Sequence, residues 1–215
     1  MQGGNKAGMG YDESQFSLPR WEDLSISRQT IYDNTFYKTP SQGWMFLPLT
    51  AYHSPDPAAL FEPLEDHLTE YSFALAQYLS AGVAACYRGF RLFDSQASRS
   101  VVKGWVSFYK KYRDLLNADI IHVARPTMQD LDGFLHVKSQ GKLRGLLVVF
   151  NPTLKRRTKT LAIPLYYTGL TKTALVSRPS DDTRYSKLTL SRDYKVNLKI
   201  TLDPNSLDYF IIKQV

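Results

Sequence analysis

Apolar positions along this chain follow two patterns. Between Trp44 and Leu116, continuous apolar runs alternate with runs of helical spacing. The run WMFLPLT predicts a strand over 44–50 that closes on Ala51, Tyr52 and His53. Pro48 has no N–H to give a ladder, so this strand has an open edge there or ends there. Leu64, Leu68, Tyr71, Leu75, Tyr78 and Leu79 recur at helical spacing. They predict a helix from near Pro63, or from as early as Pro57, to Leu79, with Gly82 as its stop. GVAACY predicts a second strand, 83–87, that closes on Arg88. Val101, Val102, Trp105, Phe108, Tyr109, Tyr112 and Leu116 form the stripe of a second helix, capped by Asp94 or Ser95. Apolar strands alternating with amphipathic helices are the pattern of parallel β/α units, whose strands are buried on both faces.

Beyond Asn117 no helical periodicity of useful length remains. Short strand-like runs take over at 120–124, 133–137, 145–150, 160–166, 174–177, 186–190, 196–202 and 209–212. Turn signals such as Asn151-Pro152 and Asp203-Pro204-Asn205 separate them. Short strands at this spacing predict an antiparallel β-sandwich. VNLKITL alternates cleanly, so one of its faces meets water. Upstream, Trp21, Leu24, Ile31 and Tyr32 share a face and predict a helix over 21–36, while residues 1–20 are polar and Gly-rich and read as a mobile arm. The fold class is therefore α/β plus all-β. The expected divisions are an arm at 1–20, a β/α segment at 21–118 and a β domain at 119–215.

Composition adds bounds. The chain has 215 residues, 43% of them hydrophobic and 22% charged, which is the balance of a globular protein with a core of good size. A net charge of +7 invites a nucleic-acid partner, but the basic residues are scattered. Their densest cluster, Lys155-Arg156-Arg157, lies between two strand-like runs and reads as a charged hairpin tip rather than a phosphate-binding patch. Without zinc-finger spacing or an RNA-binding signature, no nucleic-acid partner is expected. Aromatic residues make up 13% of the chain, which suits β-rich cores and also the stacking of sugar rings. The single cysteine, Cys86, falls in an apolar strand and reads as a small hydrophobe, so neither a disulfide framework nor a Cys/His metal set is expected. The first ten residues do not read as a signal peptide. No apolar run is long enough to cross a membrane, and no membrane partner is expected. The sequence gives no compartment.

The segments SRQTIYD, GWMFLPL, ACYRGFRLFD, VVFNP and LPLYYTGL resemble the C-terminal part of large bacterial glycoside-hydrolase-like proteins, which carry a (β/α)8 barrel followed by a β-sandwich. The resemblance runs from about Arg20 onward. It implies that 44–116 are the last two β/α units of a TIM-type barrel and 119–215 the C-terminal sandwich. It also implies a carbohydrate ligand, no metal or organic cofactor, and association with the rest of a longer parent chain or with another copy. In retaining α-glycosidases of this layout the catalytic carboxylates end middle strands, which this chain would lack. Glycoside hydrolysis needs two carboxyl groups facing the scissile bond. Neither strand end here offers a pair, so no catalytic residue is assigned.

In a barrel the working face is the C-terminal end of each strand. Those ends present Tyr52 and His53, then Arg88, with Arg91 and Asp94 just beyond. These five are the candidate substrate-binding residues. Tyr52 could stack on a ring, His53 could bond a hydroxyl, and Arg88 could hold a hydroxyl or carboxylate. Against this, His53 could be a loop histidine satisfied by backbone, and Arg88 and Asp94 a structural ion pair. Asp33 is the other acid to watch, with a plain surface position as its alternative. His122 and His136, inside strands, are expected to be packed or solvent-facing. Ser-His-Asp ordering, a glycine-rich phosphate loop and His-Glu metal spacing are all missing from the sequence.

Overall fold

The computed structural model describes residues 19–37, 44–48, 57–82, 84–178 and 184–215. It divides into two compact units, Met1–Arg113 and Asp114–Val215.

In the first unit, helix α1 covers Arg20–Tyr37. Leu24 and Ile31 are its buried apolar anchors, each 1% exposed. The Arg20 guanidinium donates to the carbonyls of Leu60 at 2.6 Å and Pro57 at 3.2 Å, which fixes the start of the helix. Helix α2 covers Leu68–Ser80 and is preceded by a 3-10 turn at Leu64–His67. The α-helix thus begins one turn later than the apolar spacing predicts, because helix starts often tighten to i+3 bonding. Buried residues surround α2 from Tyr71 to Ser80, as in a helix enclosed on all sides. Trp21 packs edge-on against Phe73 at 5.3 Å, joining α1 to α2. Gly82 ends the helix at φ 74, a left-handed conformation that a side chain would resist.

Strands β1 (Trp44–Pro48) and β2 (Ala84–Arg88) pair in parallel, Trp44 with Ala84 through Pro48 with Arg88. Pro48, opposite Arg88, has no N–H to give the ladder, and the rest of the expected strand, 49–50, lies outside the described residues. Helix α3 covers Gln96–Leu116. Phe108, Tyr112 and Leu116 of the expected stripe are buried and Trp105 is half-buried. Trp105 Nε1 donates to Ser72 Oγ at 3.0 Å, and Phe108 packs edge-on against both Trp105 and Tyr112.

The second unit is antiparallel throughout. Its strands are β3 (Asp119–Ala124), β4 (Asp132–Val137), β5 (Leu143–Asn151), β6 (Arg157–Pro164), β7 (Thr173–Ser177), β8 (Ser186–Thr189), β9 (Lys195–Leu202) and β10 (Ser206–Lys213). Six form one sheet in the order β3-β4-β5-β10-β7-β8, and β6 pairs with β9 in a second. Inward residues of both sheets build one core, including Leu135, Leu147 and Ile212 from the first and Leu161, Ile163 and Ile200 from the second. β9 alternates buried and exposed positions, the one-sided pattern expected of VNLKITL.

One expectation fails. Lys155, Arg156 and Arg157 do not form a hairpin tip, because among the described residues β5 pairs with β4 and β10 while β6 pairs with β9. The segment carries the chain from one sheet to the other. Buried Asn151 organises it: its Nδ2 donates to the carbonyls of Lys155, Leu202 and Asp203, and its Oδ1 accepts from the N–H and hydroxyl of Thr153.

Candidate functional site

Parallel pairing brings the C-terminal ends of β1 and β2 to one edge, with Pro48 opposite Arg88. The chain leaves β2 through a loop rich in exposed groups: Phe90 is 98% exposed, and Leu92 and Phe93 are exposed as well. Of the five expected binding residues, Tyr52 and His53 lie outside the described residues. Arg88 is the last residue of β2, and only its backbone is described. Arg91 and Asp94 are placed in full.

Arg91 is exposed, and its Nε lies 3.3 Å from Oε1 of Glu62. This ties the loop to the segment that leads into α2. Asp94 fastens the same loop more firmly. Its Oδ2 accepts the N–H of Leu64 at 2.5 Å, and its Oδ1 accepts the hydroxyl of Ser98 at 2.8 Å. Burial alone would push this carboxyl up. Hydrogen bonds from Ser98 and from the N–H groups of Leu64 and Glu65 outweigh it and hold the carboxyl below its ordinary value. Ser98 Oγ accepts the N–H groups of Asp94 and Ser95, and Ser95 Oγ accepts the N–H of Ser98. Reciprocal bonding of this kind satisfies the free donors at a helix start. Asp94 and Ser95 thus both serve the start of α3. The Tyr71 hydroxyl donates to the Leu92 carbonyl at 2.9 Å, and the Arg99 guanidinium lies 5.6 Å from the Phe93 ring.

Both oxygens of Asp94 are therefore engaged with protein groups. It positions the loop and is poorly placed to move a proton. Exposed Arg91 can still bond a ligand, because a single contact to Glu62 leaves most of its donors open to solvent. Asp33 is half-buried on α1. Of the strand histidines, His122 is half-buried and His136 is fully buried, its ring edge-on to Phe134 at 5.6 Å. Among the described residues no three His, Cys, Asp or Glu side chains form a group that could hold a metal ion. Among them, too, no helix is long and apolar enough to cross a membrane.

Sequence reasoning passed over a second feature, in the β unit. Tyr166 and Tyr167 on a 3-10 turn after β6 are each 62% exposed. Their rings meet edge-to-face at 5.2 Å, and Tyr166 meets Tyr194 in the same way at 5.3 Å. Tyr194 sits at φ 59 in the turn before β9. That turn is built by Ser191, Asp193 and Lys195: Ser191 Oγ donates to Asp193 at 2.6 Å, and Lys195 Nζ lies 2.7 Å from it. Lys195 and then Ser191 lower the Asp193 carboxyl to about 2. The doublet Tyr166-Tyr167 is visible in sequence, but its joining to Tyr194 is not.

No protein-family model matches this chain, and no curated protein matches its sequence. Solved structures do match its fold. The galactosidase domain of an alpha-galactosidase-sucrose kinase aligns with a TM-score of 0.57 at 15% identity, over 89% of this chain and 25% of that one. A Bacillus halodurans C-125 protein provisionally named as an alpha-N-acetylgalactosaminidase aligns at 0.55 with 14% identity, over 93% and 44%. An Anoxybacillus alpha-amylase aligns at 0.53 with 14% identity, over 94% and 50%. At these identities the likeness is one of fold. The chain spans between a quarter and a half of the length of these structures.

Proposed function

We propose that this chain is the C-terminal portion of a glycoside-hydrolase-like protein that acts on carbohydrate. In this reading, residues 21–118 supply the last two β/α units of a TIM-type barrel and 119–215 its C-terminal β-sandwich. The carrying observation is the parallel pair β1–β2, whose ends open on one edge, followed in the chain by an all-antiparallel unit. Glycoside hydrolases of several kinds match the fold over 89–94% of this chain, which supports the reading. Sugar would be met at the strand ends by Tyr52, His53, Arg88 and Arg91, with Asp94 bracing their loop. The catalytic carboxylates would come from the rest of a longer parent chain. Two strands cannot close a barrel, so that remainder or another copy must cover their edges.

The purified chain is expected to leave a panel of chromogenic α- and β-glycosides unhydrolysed. Robust turnover that disappears in Asp94→Asn or Asp33→Asn would overturn the assignment of catalysis to a missing part. In NMR titrations with neutral monosaccharides, amides of the 89–94 loop are expected to shift first.

A second reading is favoured by the exposed pair Tyr166–Tyr167. The exposed face of an aromatic ring can stack on a sugar ring, which suits a non-catalytic carbohydrate-binding sandwich. Shifts confined to the surroundings of Tyr166 and Tyr194 would select it.

A further inference from the structure

Two turns of the β unit, one after β6 and one before β9, are joined where the Leu165 N–H donates to the Tyr194 carbonyl at 2.8 Å. The join brings three tyrosine rings together. Tyr194 is their buttress. Its side chain is half-buried against the core of the unit, and its N–H donates to the Ser191 carbonyl at 3.0 Å. Its φ of 59 is a conformation that glycine or asparagine adopts more readily than a bulky residue. Strain of this kind persists only where the surroundings impose it. Here it sets the Tyr194 ring at 80° to that of Tyr166, with centroids 5.3 Å apart.

Tyr166 and Tyr167 are the open rings of the group, both well exposed. Their own turn is fastened as well. The Thr168 hydroxyl donates to the Leu165 carbonyl at 2.5 Å and accepts the Leu170 N–H at 3.3 Å, and Gly169 closes the turn at φ 73. The two open rings are therefore held in a set relation, 89° apart in plane and 5.2 Å between centroids. They form a corner and not a platform.

That angle selects among sugar chains. A straight β-linked glucan presents its ring faces nearly in one plane and stacks on aromatic rings that share a plane. Two rings at a right angle do not serve it together. A chain that lies on both must turn through a comparable angle as it passes from one to the other, as an α-linked glucan does by coiling. Glucose units also keep their ring hydroxyls near the ring plane, so their C–H faces are free to stack. We propose that Tyr166 and Tyr167 bind a coiled, α-linked glucan chain, with different sugar units lying on the two rings and Tyr194 fixing the angle of the corner. The inference rests on the second reading above, in which the sandwich binds carbohydrate at these tyrosines, and adds the shape of the chain.

The test uses the whole chain, labelled for NMR, titrated separately with maltotetraose, cellotetraose and glucose. Maltotetraose is expected to shift the amides of 166–168 and 193–195, and to bind at least about fivefold more tightly than cellotetraose or glucose. Tyr166→Ala and Tyr167→Ala should each lose roughly fivefold in that affinity. Both side chains are exposed, so the spectrum elsewhere should be unaltered. The double variant should bind maltotetraose and cellotetraose alike. Cellotetraose shifting the same amides with equal affinity would overturn the proposal while leaving carbohydrate binding at the tyrosines intact. Glucose binding there as tightly as maltotetraose would do the same, since one ring would then suffice. Shifts confined to the 89–94 loop, or no shift with any of the three sugars, would overturn both the proposal and the reading beneath it.

Discussion

Asn151 is wholly buried, and every polar atom of its side chain is spent on the crossing between the two sheets. Asn151→Ala strands up to three carbonyls and the Thr153 donors in the interior. Buried groups left unpaired cost about 1–3 kcal/mol each and do not add fully, so we expect a loss of roughly 2–4 kcal/mol in urea unfolding. A loss under about 0.5 kcal/mol would show that water serves the crossing equally well. Gly133 is constrained by space: a Cβ there would stand 2.5 Å from the Val148 carbonyl oxygen on the neighbouring strand. Gly133→Ala should cost about 1–3 kcal/mol through strain, or force a register fault visible as new cross-strand contacts. Neither role was legible in sequence. The motif VVFNP reads as a strand end and a turn, and the partners of Asn151 lie up to 52 positions away. Gly133 reads as an ordinary strand start until Val148 is known to run beside it.

Elements were more legible where periodicity and a cap agree. The stripe of α3 and the role of Asp94 and Ser95 at its start follow from local pattern, because helix bonding is local. Asp94→Ala should cost about 1 kcal/mol and raise hydrogen exchange in the first turn of α3. The pH dependence follows from the lowered carboxyl. Its stabilising effect is complete above the ordinary value near 4 and fades as pH falls through the lowered one. The gap in stability between the parent and Asp94→Asn should therefore narrow only under acid conditions; a gap that is constant from neutrality down to pH 3 would remove the ion from the account. The Ser191–Lys195 turn allows a direct check. Carboxyl NMR should find Asp193 titrating near 2, well below an ordinary aspartate. A midpoint near 4 would mean that the Lys195 contact does not persist in solution, and the seat of Tyr194 would be correspondingly loose. The mistaken hairpin at Lys155–Arg157 has the opposite cause. Local pattern marks where strands are but not which ones pair, and pairing is set by a core gathered from the whole unit.

At the scale of the whole molecule the two units differ in how they satisfy their strands. The β unit gives each of its strands a partner and closes a common core. β1 and β2 have only each other among the described residues. Uneven hydrogen exchange is therefore expected, slow in β4, β5 and β10 and faster in β1 and β2. Uniformly slow exchange in a dilute monomer would show that the β/α part is complete as it stands, and would remove the main support for a missing remainder. The succession of β/α and all-β regions was readable because the period of the apolar pattern changes near Asn117. A cleft of the β unit lined by Val176, Leu188, Leu198 and Phe210 was not, because β7, β8, β9 and β10 each supply only one of these walls.

Strand β10 lies between β5 and β7, so a strand that follows the other five in the chain fills the middle of the six-stranded sheet. On the ribosome, β5 emerges some 55 residues before its neighbour and must wait with the edge LLVVF unpaired. An open apolar edge is a template for another chain. This unit can therefore become native only once β10 has emerged. Chains stopped short of Ser206 should accumulate as aggregates even though every strand before it is intact, and a peptide of 206–213 supplied in trans should compete for the same slot.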